Sequence, residues 1–177
     1  MFHHRKREIM SRIRIIPTTR VAAAATLLAA GLIVVPALAT PGSGITVTAL
    51  SKGDFEELDV KADKADNWDL LLKTKDDSDI GVDHLVIAPG GRSGWHTHAG
   101  STLVTVTVGE VEWYDGDDSL CPSRTYRAGE GFVEPANHVH NVRNTSGAPA
   151  EIVAVQMRPD NTPGRIDAPK PDDCPSF

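Results

Sequence analysis

Two of the seven histidines, His96 and His98, are separated by a single residue in a stretch without helical periodicity. On a β-strand, side chains at i and i+2 leave the same face roughly 6.6 Å apart. That spacing lets both imidazoles reach one metal ion at about 2.1 Å. A third ligand has to come from another strand, and His140 is the candidate. The residue types do not choose among iron, copper, nickel, zinc, cobalt and manganese.

Other residues near these histidines have plainer readings set against functional ones. His138 shares the i, i+2 relation with His140, which makes it a candidate ligand or proton carrier at a pocket rim. Glu134 precedes Pro135 and is a candidate general base near the opening. His84 lies in a continuous apolar run, where a packed histidine and a partner to a ligand are equally good accounts. Trp95, beside His96, reads as a packing residue at the barrel mouth ahead of a surface on which substrate stacks. Arg92, Arg124, Arg127 and Arg143 are the cations available to an acidic substrate, and each reads by default as a surface residue. Asp115, Asp117 and Asp118 lack the flanking pattern and terminal glutamate of an EF-hand loop, so a tight turn explains them.

The elements that must hold these side chains read as strands. Residues 45–50 (ITVTAL) and 101–108 (STLVTVTV) alternate with a period of two and are rich in β-branched types. Residues 68–74 and 80–88 flank the turn segment 75–79 (KDDSD), which predicts a hairpin between them. Residues 55–65 are charged and ambiguous, with one short helical turn as the candidate reading. Segments 111–114, 132–134, 139–143 and 151–157 complete the set. Eight or more short strands with turns every 8–12 residues predict one all-β domain, an antiparallel sandwich or barrel. From residue 159 onward prolines recur, so residues 159–177 are expected to form an extended strap, remote from the pocket.

Residues 1–39 have a different character. Arg5, Lys6, Arg7, Arg12, Arg14 and Arg20 precede an uncharged stretch over residues 21–35; Pro36 then breaks it before the small-x-small tripeptide 37–39. This is the pattern of a secretory signal peptide, the rival being an uncleaved membrane anchor. Both readings place residues 40–177 outside the cytoplasm. The whole chain has a formal net charge of −6. Residues 40–177 carry twelve basic and twenty-three acidic side chains, a net of −11, which argues against nucleic acid or an anionic membrane surface as partner. The two cysteines, Cys121 and Cys174, both lie in the exported part and predict one disulfide that staples the strap to the body.

Two longer patterns now coincide. Residues 90–109 (GGRSGWHTHAGSTLVTVTVG) resemble the first cupin motif, G-x5-H-x-H-x3,4-E-x6-G, with Gly90, His96, His98 and Gly109 in register. Residues 129–144 (GEGFVEPANHVHNVRN) resemble the second, G-x5-P-x-G-x2-H-x3-N, with Gly129, Pro135, His140 and Asn144 in register and Asn137 in place of the central glycine. The chain is most similar to small, secreted, single-domain actinobacterial cupins. The resemblance implies a jelly-roll β-barrel over residues 40–158 with one divalent transition metal held inside by His96, His98 and His140. It also implies a departure: the family's fourth, carboxylate ligand falls at Thr102. Three neutral imidazoles would leave the full +2 on the metal and a coordination position open to water or substrate. Thr102 and Trp95 would then border the pocket.

Three functions follow from this reading. One is a metal-dependent enzyme, dioxygenase-like on a small organic molecule or, with zinc, hydrolytic. Another is a non-catalytic extracellular cupin that binds a small ligand or a metal. The third is a scaffold whose pocket lost its metal along with the glutamate. Pairing of two copies through strand edges, which would give a homodimer, is a further expectation.

Overall fold

The computed structural model describes residues 39–65 and 68–177, so the signal peptide expected over residues 1–39 lies, except for Ala39, outside the described residues. Within them every element is a strand. In chain order these are β1 (Ser43–Phe55), β2 (Asp59–Ala65), β3 (Trp68–Lys73), β4 (Ser78–Arg92), β5 (His96–Thr97) and β6 (Thr102–Val108). They are followed by β7 (Glu110–Asp115), β8 (Ser123–Arg127), β9 (Gly131–Glu134), β10 (His140–Arg143), β11 (Ala150–Pro159) and β12 (Ile166–Asp167).

The fifteen-residue β4 is the spine. Its first ten residues bond β1 on one side and β11 on the other, and β11 continues through β6 to β9. At its far end Arg92 pairs with Arg143 of β10, which carries the sheet on to β5, β7, β8 and β12. All pairs are antiparallel, and the sheet wraps into a nearly closed barrel, a jelly-roll arrangement. The change of direction occurs where Gly90 takes a positive φ of 73° and Gly91 lies against Gly44, whose carbonyl oxygen would sit 2.5 Å from an added Cβ.

Period-two patterning fills the interior. On β6, Thr102, Val104 and Val106 are buried while Leu103, Thr105 and Thr107 face out. Val104 and Val106 join Ile87, Val111, Phe132, Val142, Ala150, Ile152 and Ala154 in the main core. A second, smaller core joins Trp95, Tyr114 and the Cys121–Cys174 disulfide, with Phe177 stacked 6.4 Å from the Trp95 ring.

Three expectations need correction. Residues 59–65 are a strand rather than a helical turn, because they pair with β3 in a separate two-stranded sheet. The predicted hairpin across residues 75–79 is therefore absent: β3 goes to β2, and β4 takes β1 and β11, the two longest strands able to cover its apolar run. The C-terminal strap is not remote either. Ile166 and Asp167 pair with Thr97 and His96, and Ala168 N–H donates to the Trp95 carbonyl at 3.0 Å.

Candidate metal centre

His96 opens β5 and His140 opens β10, and the two are direct cross-strand partners with ring centroids 4.3 Å apart. His98 follows β5, where its carbonyl accepts the Asn137 N–H at 2.7 Å. That contact joins the two motif segments. It requires Asn137 to sit at φ 58°, a left-handed conformation that suits glycine and that asparagine tolerates. Asn144, fully buried, fixes the other end of β10: its amide donates to the Ile87 and Ala148 carbonyls at 2.9 and 2.8 Å, and its oxygen accepts from Ser146.

His96, His98 and His140 are all buried, with ligand-capable atoms within 4.8 Å of one another. Each ring is oriented by a backbone carbonyl. Nδ1 donates to Gly94 O at 2.8 Å in His96, to Gly164 O at 2.5 Å in His98 and to His138 O at 2.8 Å in His140. A carbonyl oxygen can only accept, so each Nδ1 carries a proton and each ring turns its Nε2 into the cluster, where it offers a lone pair whenever Nδ1 holds the ring's one proton. Gly164 belongs to the strap, so the C-terminal segment helps to orient a ligand.

Glu134, the last residue of β9, is also buried here. Its Oε2 lies 3.1 Å from His98 Nε2, and its Oε1 lies 3.2 Å from His140 Nε2. His140 Nε2 makes no hydrogen bond, and His98 can donate to the carboxylate only if its ring carries two protons. The centre thus gathers imidazole lone pairs and carboxylate oxygens with no donor among the neutral groups. Only a proton or a cation satisfies such a set, and nitrogen plus carboxylate donors suit a divalent transition metal. Burial alone would push the Glu134 carboxyl up, but His140 and His98 outweigh it and hold it well below the usual carboxylate range. Burial, followed by His140 and Arg165, lowers His96 to about 3, which keeps its ring neutral.

His96, His98 and Glu134 of the cluster line one side of a cavity of about 470 Å³, and His140 does not border it. Its wall is largely apolar, with Val47, Leu85, Ile87, Val104 and Ile152; Asp83, Ser93, Gln156 and Arg165 join His96, His98 and Glu134 as its polar lining. Arg165 Nε pairs with Asp167 at 2.6 Å, while its Nη2 is buried without a partner.

The remaining candidate residues are dispersed. Thr102 is buried with an unpartnered hydroxyl, and Trp95 is buried in the smaller core; neither borders the cavity. His138 stacks on Trp113 and directs Nε2 to Asp115 and Asp117, at 3.3 and 3.7 Å. Asp115 accepts the N–H groups of Asp117 and Asp118, a tight turn. His84 pairs with Glu151 at 2.9 Å on the half-exposed face. Arg92, Arg124, Arg127 and Arg143 do not border the cavity. The closeness of Glu134 to two histidines, the cavity role of Arg165 and the Gly164 carbonyl were all missed from sequence. A signal for Glu134 was present: in residues 131–134 (GFVE) it shares the inward parity of Phe132, and an acid on an apolar face needs a partner.

Among known proteins, residues 83–156 match the cupin domain family. No curated protein matches the chain. Similar solved structures include oxalate oxidase in complex with glycolate, at 28% identity over 49% of this chain and 45% of that one, with a TM-score of 0.43. This chain therefore spans less than half of the oxalate oxidase. A cupin superfamily protein from Desulfitobacterium hafniense aligns at 12% identity over 64% of this chain and 77% of its own, with a TM-score of 0.43. The cupin domain of an XRE family transcriptional regulator from Enterobacter cloacae aligns at 19% over 66% and 97%, with a TM-score of 0.43. The matched segment runs from within β4 to within β11 and contains all three clustered histidines, so residues 83–156 form a cupin domain whose buried three-histidine group can hold a metal ion.

Proposed function

We propose that this protein is an extracytoplasmic, metal-dependent cupin oxidoreductase, dioxygenase-like in chemistry, acting on a small organic anion. One observation carries the reading: three buried histidines with their Nδ1 protons fixed form one cluster, and two of them, His96 and His98, line a cavity large enough for a small organic molecule. A bound divalent metal would supply Lewis acidity and, as iron, copper, nickel or manganese, a redox couple towards dioxygen.

The chain's own groups do the rest. The apolar wall excludes water from the substrate body, and the unpartnered Nη2 of Arg165 offers a donor to a carboxylate or phenolate. The signal-like segment and the disulfide support a site outside the cytoplasm. A second reading, a non-catalytic capture protein, draws support from the cavity's ionisable groups. Outside the His–Glu cluster these are Asp83 and Arg165 alone, which leaves little for acid–base work.

The test is oxygen uptake by protein reconstituted with Fe(II), Mn(II), Cu(II) or Ni(II), offered phenolic and small carboxylate compounds. Uptake that vanishes in His140→Ala and weakens mainly through KM in Arg165→Met supports the oxidoreductase. Stoichiometric metal and ligand binding without turnover supports the capture protein and rejects the enzyme.

A further inference from the structure

We infer that Glu134 is the fourth metal ligand, supplied by β9 in place of the carboxylate that the first cupin motif lacks at Thr102. This rests on the metal-binding reading above and deepens it. Thr102 and Glu134 are direct cross-strand partners, at the first residue of β6 and the last of β9. Opposite residues on one face have Cβ atoms about 4.5–5.5 Å apart. A longer side chain from position 134 can therefore reach the region that a glutamate at 102 would serve.

Its carboxylate lies beside two of the three histidines. The two carboxylate oxygens lie 3.1 and 3.2 Å from the Nε2 atoms of His98 and His140. Thr102 leaves that space alone, its hydroxyl buried and unpartnered. The pairing of β6 with β9 fixes the position, and Pro135 ends the strand immediately after Glu134.

The consequence is a correction to the three-nitrogen site expected from Thr102. With Glu134 bound, the net charge at the metal falls from +2 to +1. Four protein ligands fill a tetrahedral zinc site and leave no position for water. An ion that accepts five or six ligands retains one or two open positions, so manganese, iron, cobalt or nickel suits the reactive form.

The probe is Co(II), titrated into metal-free protein and followed by visible absorption and calorimetry. Glu134→Gln keeps the size and removes the anionic donor. Its Co(II) affinity is expected to fall about 100-fold or more, since loss of even an outer partner of a ligand costs 10–100-fold, and the d–d bands should shift. Moving the carboxylate back, in the double variant Thr102→Glu/Glu134→Thr, is expected to restore affinity to within about tenfold of wild type, by the same cross-strand proximity. A merely structural role for Glu134 would not be rescued in this way. Wild-type affinity and spectrum in Glu134→Gln, alongside loss of binding in His140→Ala, would overturn the Glu134 assignment and leave the histidine site standing. No Co(II) binding by the wild type would overturn both. Thermal melts verify folding; should Glu134→Gln not fold, the double variant decides, and a failure to bind Co(II) while folded counts against the assignment.

Discussion

Acid should destabilise the metal-free protein well before ordinary carboxylates titrate, and His96 is the reason. In the folded chain burial, His140 and Arg165 hold its pKa down at about 3; in the unfolded chain it takes up a proton near pH 6.5. Between those values the unfolded state binds the extra proton, so stability present above pH 6.5 is lost as pH falls. The slope approaches 1.4 kcal/mol per pH unit, which gives about 3 kcal/mol lost by pH 4. Glu134 acts in the same direction at the lower end. Its folded pKa is depressed, so its contribution is present above the usual carboxylate pKa and lost below it. The assay is urea unfolding of EDTA-treated, disulfide-intact protein at pH 7.5, 6.5, 5.5 and 4.5. A shift of 3 kcal/mol moves the midpoint by about 1–2 M. His96→Gln, which cannot take up the proton, should flatten the profile. A flat wild-type profile, or an equal slope in His96→Gln, would refute the assignment of a neutral, buried His96.

Two further outcomes follow from the frame around the centre. Replacing Cys174 with Ser opens a bridge between residues 53 apart, worth about 4 kcal/mol by loop entropy, so Tm should fall by about 10 °C or more in a thermal melt. Metal affinity should fall only modestly, since β12 keeps its own bonds to β5 and Gly164 lies upstream of the bridge. At Asn137, substitution by Gly should be neutral or stabilising, whereas Val at φ 58° should cost roughly 1–2 kcal/mol by chemical denaturation and loosen the contact to His98.

How much of this was legible in the sequence follows physical lines. Period-two alternation marked β6 because one of its faces is buried. The His-x-His spacing and the motif positions of His140 and Asn144 marked the centre because local backbone geometry determines which way those side chains point. The partner of β3 was not legible, since residues 68–74 look alike whether they pair with 59–65 or 80–88. Glu134 was seen as a nearby acid but not as a neighbour of His98 and His140, because its position depends on pairing between strands thirty residues apart. The strap's role escaped for the same reason: Gly164 acts through its carbonyl, and a backbone atom leaves no signature in residue type.

The most direct test is the metal content of the mature protein purified untagged from its native source, measured by elemental mass spectrometry beside His96→Ala and His140→Ala. The account predicts about one equivalent of a divalent transition metal in the wild type and none in either variant, with all three folded. A folded wild type that carries no metal and takes up none on titration would contradict it.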